Sequence, residues 1–468
     1  MKPILLLPAI GKRPVMRKKF LFLFFVLFFS CTQVFTQGNK SFIQDSAWSC
    51  HFQLTVIGQA HSGFKAPAPL PKSNSLSNSV ESGATSITST LFLGRKLWNG
   101  AAIYLNPEIS GGAGLSYSLG VAGALNGETY RIGDPAPVAS IARAYFQQYI
   151  PLGNPGYEID DDKKNQVLNR KVPANRITLT LGKFSMSDFF DNNAYSHDPR
   201  TQFINWSLMS NGAWDYPANT KGYTAGFVGE LVLHAWKARI STVAVPAIAN
   251  HSAMEYVFGK AHSETAEFEK SVSINKRPGA IRLLFSYTAS RAPSYKEGLE
   301  AIQEKDTFLL SVISGNAEGK TYGGNKTGIC LSADQEITDN LGMFVRVGWN
   351  DGKHASWAFT EIDQTASLGI SLKGSKWKRQ NDVLGIAAVI NGISADHQAF
   401  LKAGGYGFII GDGYLNYGHE KIIEFSYNAQ LFNSFWLSLD YQFVDNPGYN
   451  KDRSGPVHVF GVRSHIEF

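Results

Sequence analysis

Cysteine is almost missing from this 468-residue chain, with three in all: Cys31, Cys50 and Cys330. A disulfide scaffold is thereby excluded, and the eleven histidines form no metal-ligand spacing. Long apolar runs are missing as well. After Phe29 no stretch approaches the ~20 residues that a membrane helix requires. Also absent are a Gly-x-Ser-x-Gly elbow, a His-Glu-x-x-His pair and a phosphate-binding loop, so no cofactor or catalytic motif stands out. A carboxylate pair could be imagined anywhere among 38 acidic residues and carries no signal without geometry. No internal repeat suggests a solenoid or a propeller.

Basic character is lacking too, once the first 36 residues are set aside. That segment holds six of the 44 basic residues and none of the 38 acidic ones, which leaves the remainder balanced. No nucleic-acid partner follows from the high pI. Arg17-Lys18-Lys19 precedes the apolar stretch Phe20 to Phe29, the pattern of an export signal, with Met16 a candidate start. Cleavage is expected after Thr36, and Ser30-Cys31 offers a lipoprotein site that Phe28 disfavours. Residues 37–468 are then expected to form one domain. Cys50 and Cys330 could bridge, although two unpaired thiols fit better.

What the chain does contain is alternation. At the end, Phe460, Val462, Ile466 and Phe468 share one face of a strand, while Gly461, Arg463, His465 and Glu467 share the other. Such an edge needs a partner, and Phe52, Leu54 and Val56 supply a first strand to close on. Similar stripes occur at Ser86–Gly94, Ile141–Ile150, Arg176–Phe184, Tyr223–Leu233 and Lys237–Val245. Ile281 to Tyr287, Leu341 to Trp349 and Phe435 to Phe443 repeat the pattern. About fourteen strands are evident, and bacterial barrels have even strand numbers of about ten residues each. The expected fold is an all-β, transmembrane antiparallel barrel of about sixteen strands, wide enough for an aqueous channel. Its expected place is the outer membrane of a Gram-negative cell, with lipid outside and the barrel-assembly machinery as a transient partner.

Two segments are not strands. Ala66–Ser82 reads as a flexible loop, and Glu158–Lys164 as a charged one where a calcium site is conceivable but solvation suffices. The long segment Ser185–Gly222 mixes Trp206, Trp214 and Tyr216 with amides, aspartates and Arg200. Aromatic plates beside planar polar groups suit sugars, and equally suit a loop packing its own rings against a wall.

Here the sequence resembles the carbohydrate-selective porins of the OprB type. The residues that carry the resemblance are Leu181-Gly182-Lys183, Asp198 to Phe203 with Asn205, Gly212 to Pro217, and Gly222-Tyr223-Thr224. Tyr417 to Glu420 with Glu424, Asp440-Tyr441-Gln442, Asn446-Pro447-Gly448 and Val459 to Arg463 continue it in order, whereas Ala249–Gly324 matches poorly. The resemblance implies inward-folded loops that narrow the pore, with charged and aromatic side chains touching the solute. The candidates are Arg200, Asn205, Trp206, Trp214, Asp215 and Tyr216 in the loop. Arg143, Arg346, Glu420, Glu424, Asp440 and Arg463 stand opposite apolar stripes and are expected to face the lumen, with Arg379 and Asp382 as a pair near a strand start. Each wall residue also fits a salt-bridge ladder that stiffens the barrel. Passive passage of mono- or small oligosaccharides is the expected function, with a general or ion-selective porin as the alternative and a barrel enzyme or adhesin behind it. The sequence accommodates a monomer or a trimer.

Overall fold

The computed structural model describes residues 47–129, 136–159 and 171–468. The export signal, the Cys31 site and most of the 158–164 charge run lie outside the described residues. The described chain closes into one sixteen-stranded antiparallel barrel. Its strands are β1 (Trp48–His61), β2 (Glu81–Trp98), β3 (Ala101–Gly112), β4 (Val138–Pro151), β5 (Arg176–Phe184), β6 (Thr224–Leu233), β7 (Trp236–Val243) and β8 (His262–Ile274). They continue as β9 (Arg277–Ser290), β10 (Gly324–Thr338), β11 (Leu341–Asn350), β12 (Gln364–Gly374), β13 (Arg379–Gly392), β14 (Glu420–Phe432), β15 (Phe435–Asp445) and β16 (Val457–Glu467).

The terminal strand closes on the first, as the two amphipathic edges require. β16 pairs with β1 from Glu467 opposite Gln53 to Val459 opposite His61. Phe468 extends the seam by one residue. Its N–H donates to Phe52 O at 2.9 Å, its carbonyl accepts from Phe52 N at 3.2 Å, and the two rings stack at 6.4 Å. β2 is longer than its stripe: pairing with β1 carries it back to Glu81, so the preceding loop ends before Ser82. Cys50 and Cys330 are not bridged to each other.

Alternation sorts the side chains as strand geometry demands. Val347, Leu439, Phe460 and Val462 are exposed on the outer surface, while Arg346 and Arg463 are buried inside. Connections β2–β3, β6–β7, β8–β9, β10–β11, β12–β13 and β14–β15 take two to four residues at one end, where β1 also begins and β16 finishes. Long connections crowd the other end. Exposed aromatics gather at the short-turn end: Trp48, Trp98, Trp236, Trp377 and Phe432. Arg95 lies 4.3 Å over the Trp48 ring and Lys270 4.7 Å over Trp236. Amphipathic rings with a cation beside them suit a membrane–water boundary.

Leu439, 57% exposed in the middle of β15, tests that outer surface. Leu439→Arg should cost roughly 2–4 kcal/mol, the penalty for a cation at mid-bilayer depth. Guanidinium unfolding of barrels in lipid vesicles measures it, and an unchanged midpoint would place Leu439 away from lipid.

Candidate lumen site and constriction

The connection between β5 and β6, residues 185–223, folds into the barrel. Phe190, Phe203, Ile204, Leu208 and Trp214 are buried within it. Two inward carboxylates of β14 hold the lumen segments by their backbone. Glu424 accepts from Ile204 N at 2.7 Å and Asn205 N at 2.9 Å. Glu420 accepts from Ala122 N at 2.9 Å, Gly123 N at 2.8 Å and Gly448 N at 2.9 Å, so it ties in residues of the β3–β4 and β15–β16 connections as well. These N–H groups would otherwise be unsatisfied in a closed interior, and hydrogen bonds to a charged acceptor are the strong ones. The two lumen segments also bond each other, through Gly127 N to Ile204 O at 2.8 Å and Trp206 N to Ala124 O at 3.0 Å.

The facing wall is built to receive them. A Cβ on Gly342 would collide with the Tyr195 ring, and one on Gly385 would press on Phe203 at 2.9 Å. Arg346 on β11 donates to Leu208 O at 2.8 Å and Ser196 O at 2.5 Å and pairs with Asp191 at 3.0 Å. Arg463 on β16 donates to Pro199 O and pairs with Asp440 at 3.1 Å.

Opposite this anchored side, strands β1–β4 meet the loop through a mixed-sign cluster. Arg143 on β4 makes a bidentate pair with loop Asp188, at 2.7 and 2.6 Å, and its guanidinium lies 5.3 Å over the Tyr223 ring. The Tyr223 hydroxyl donates to both oxygens of Glu108 on β3, at 2.9 and 3.0 Å, and Thr90 on β2 donates to the same carboxylate at 2.7 Å. Arg200 donates to Glu128 at 3.1 Å, and Gln53 on β1, with its amide oxygen turned inward, accepts from Arg200 at 3.1 Å. Burial pushes the Glu128 carboxyl above the ordinary range, and the neighbouring Arg200 charge offsets only part of that.

The family model described as carbohydrate-selective porin, OprB family, matches residues 90–468. The chain belongs to the OprB family of carbohydrate-selective porins. It is an outer-membrane β-barrel, and its family and fold are those of a channel for carbohydrate. Among solved structures it is similar to the high-pH structure of Pseudomonas putida OprB, at 14% identity and TM-score 0.65 over 91% of this chain and 95% of that one. It also aligns with the outer membrane channel DcaP of Acinetobacter baumannii, at 11% identity and TM-score 0.47 over 92% of this chain and 100% of that one. Likeness at such identities concerns the fold alone. No curated protein sequence matches the chain.

Within this OprB-family barrel the sequence-derived candidates fall into separate places. Arg143 and Arg200 lie in the mixed-sign cluster. Glu420, Glu424, Arg346, Asp440 and Arg463 do point inward, but each already bonds loop backbone or an ion-pair partner. Asn205 caps the short helix Trp206–Met209, accepting from Ser207 N at 3.0 Å, and donates to Gln442 at 3.0 Å. Trp214 departs from the expected solute contact: it is 1% exposed, wedged 6.1 Å from Phe190 and 5.2 Å from Tyr216. Tyr216 and Trp206 are buried in the same stack, with Trp206 4.7 Å from Phe359. Asp215 accepts from four successive backbone N–H groups, Trp357 to Thr360, at 2.7–3.3 Å. Arg379 and Asp382 do pair, at 2.9 Å, but at the short-turn end away from the rest.

Sequence reasoning missed Glu108, Glu128, Asp188 and Tyr223. Glu108 was within reach, since Ile103 and Leu105 mark the outer face of β3 and leave Glu108 inside. It also missed a ladder on the inner wall of β5–β10: Arg176 to Glu230 at 4.0 Å, Glu230 to Arg239 at 2.6 Å, Arg239 to Glu267 and Glu269 at 2.7 and 2.9 Å, then Glu269 to Arg282 at 3.3 Å and on to Asp334.

Removing the loop anchor should open the pore. Glu424→Ala leaves two buried backbone N–H groups unsatisfied, which sets the docked loop back by about 2–6 kcal/mol. Single-channel conductance should rise and sugar discrimination fall while the barrel keeps its heat-resistant gel mobility. Conductance equal to wild type would mean that Glu424 does not hold the loop.

Proposed function

We propose that sugars diffuse passively through the gap between the 185–223 loop and the β1–β4 wall, with Glu108, Glu128, Arg143, Asp188, Arg200 and Tyr223 as the contacts. The observation that carries this reading is the set of three pairs along this side: Arg143 with Asp188, Tyr223 with Glu108 and Arg200 with Glu128, the first two in contact through the Arg143 guanidinium over the Tyr223 ring. Such a set offers donors and acceptors together, so the hydroxyls of a neutral polyol can exchange with the internal pairs. An ion of either sign meets a like charge beside each opposite one. Binding stays weak because every solute contact displaces an existing pair, and weak binding is what lets a solute leave. Trp206, Trp214 and Tyr216 then act by shaping the loop, and the wall residues Arg346, Glu420, Glu424, Asp440 and Arg463 by fixing it. Arg379 and Asp382 belong to the exit rim. The chain acts as a channel only, with residues 1–36 as its export signal and the Phe468 strand as the segment read by the assembly machinery, in a monomer or a trimer.

Planar-bilayer conductance with added glucose and maltose tests the reading. Stepwise current block is expected; no channel at all overturns it, and a channel that no sugar blocks makes this a general pore. Arg200, with 13% of its side chain exposed, is the most accessible member of its ion pair with Glu128. Arg200→Ala should weaken sugar block by about tenfold, the size of one charge-assisted hydrogen bond. A second outcome concerns pH. A carboxyl raised by burial takes up its proton before an ordinary one as pH falls, so Glu128 should neutralise above its usual 4.5 and remove one negative charge beside Arg200. Reversal potentials in a KCl gradient should therefore move toward anion selectivity on acidification, and Glu128→Gln should show that shift already at neutral pH.

A further inference from the structure

We propose that the outer wall of β6–β9 carries a lipid site, which seats one acyl chain of a phosphorylated outer-leaflet lipid in a groove and its phosphate beside Lys260.

Cross-strand register builds the groove. Ala266 of β8 stands opposite Ile240 of β7 on one side and Phe285 of β9 on the other, with Gly229 of β6 beyond Ile240 in the same row. A small residue between two large ones leaves a channel along the strand. One row toward the short turns, Phe268 is exposed and closes that channel. One row toward the long loops, Thr242, Glu264 and Tyr287 stand abreast. The cavity measures about 430 Å³, within the ~300–1,000 Å³ of small-molecule sites, and Phe227, Ile240, Ala266 and Phe285 give it apolar walls. Ile240 and Ala266 alternate with the inward ladder residues Arg239 and Glu267, so the groove opens on the lipid-facing side and not on the lumen.

Polar groups follow in the order a lipid presents them. Directly above the groove, His262 pairs with Glu264 at 2.5 Å, and the Tyr287 hydroxyl donates to Asn325 at 3.2 Å. This is the level at which a chain joins its headgroup. Two residues beyond His262 comes Lys260, at the long-loop end, which faces the cell exterior in outer-membrane barrels. The Lys260 ammonium lies 5.4 Å over the Tyr322 ring, and Arg291, just past β9, lies 4.5 Å from the same ring. Lys320 lies 4.3 Å over the Phe308 ring. The carboxylates of this cluster, Glu255 and Glu318, are both paired with Arg291, and Glu255 also accepts from the Tyr322 hydroxyl at 2.8 Å. Neither Lys260 nor Lys320 has a carboxylate partner among the described residues, so three cations face two acids and two ammonium groups keep their donors for an anion.

The occupant is fixed by continuity with the lipid-facing wall and by charge. Tyr256, Val257 and Phe258, immediately before this end of β8, are exposed, as apolar side chains beside cations are at a membrane–water boundary. A free phosphate would meet the cations and leave the groove empty. A neutral glyceride would fill the groove and leave the cations unmatched. A lipid with an acyl chain and a phosphorylated head meets both.

The test titrates the full-length, detergent-solubilised barrel with dioleoylphosphatidate, dioleoylglycerol or inorganic phosphate and counts bound molecules by native mass spectrometry. One phosphatidate per barrel should be retained at concentrations where neither of the others is. Lys260→Ala should weaken that binding about tenfold, the size of one charge-assisted hydrogen bond, while Lys260→Arg keeps it. Ala266→Phe fills the groove, leaves the cations in place and should weaken binding about as much. Diacylglycerol or inorganic phosphate held as well as phosphatidate would overturn the site, and so would phosphatidate held equally by wild type, Lys260→Ala and Ala266→Phe. Sugar block should be the same in all variants, so failure of the lipid site leaves the porin reading standing. Unheated gel mobility confirms that each variant is a folded barrel.

Discussion

Two carboxylates on one strand decide what kind of opening this barrel has. Glu420 and Glu424 sit one above the other on the inner face of β14, and between them they accept five backbone N–H groups from three connections. A sixteen-stranded wall alone encloses a wide aqueous lumen. Chain that enters such a lumen brings unsatisfied N–H groups with it, and a buried carboxylate is a strong acceptor for exactly as many as its lone pairs allow, so docking and charge burial stabilise each other. Once the 185–223 segment is fixed on that side, its other edge must face β1–β4. The Asp188–Arg143 ion pair and the Tyr223–Glu108 hydrogen bonds with that wall follow from this placement.

The same residue types serve two purposes on opposite walls. On β5–β10, Arg alternates with Glu or Asp from strand to strand, and the ladder meets the loop at Glu267, which accepts from Asp191 N at 2.7 Å. On β3 and β4, Glu108 and Arg143 reach across from wall to loop, to Tyr223 and Asp188. Position relative to the loop, not residue identity, distinguishes pairs that join strand to strand from pairs that join strand to loop. The aromatic residues divide in the same way: Trp206, Trp214 and Tyr216 pack on one another inside the loop, while Trp98 and Tyr157 stand in the open at the short-turn end.

Much of the fold was legible in the chain because strand periodicity is local. A residue two positions along returns to the same face, so Leu439 beside Asp440, or Val462 beside Arg463, announces which side meets lipid. The closing partner of the last strand was legible for the same reason. The loop was harder. Its composition matched a sugar site, yet Trp214 turned out to be core, because whether a ring faces solute or protein depends on tertiary contacts: Phe190 on Trp214, and the distant Phe359 on Trp206 and Tyr216. Glu128 gave no signal at all: its stretch is glycine-rich and lacks alternation, and only its approach to Arg200 gives it a role.

Sequence by itself therefore determined the barrel, its inside and its outside, and the family, since each rests on short-range pattern or on ordered motifs along the chain. Tertiary structure alone decided which inward charges hold the loop by its backbone and which pair with its side chains. That choice depends on where residues more than two hundred positions apart, such as Asn205 and Glu424, meet across the lumen, and no local pattern encodes such a meeting.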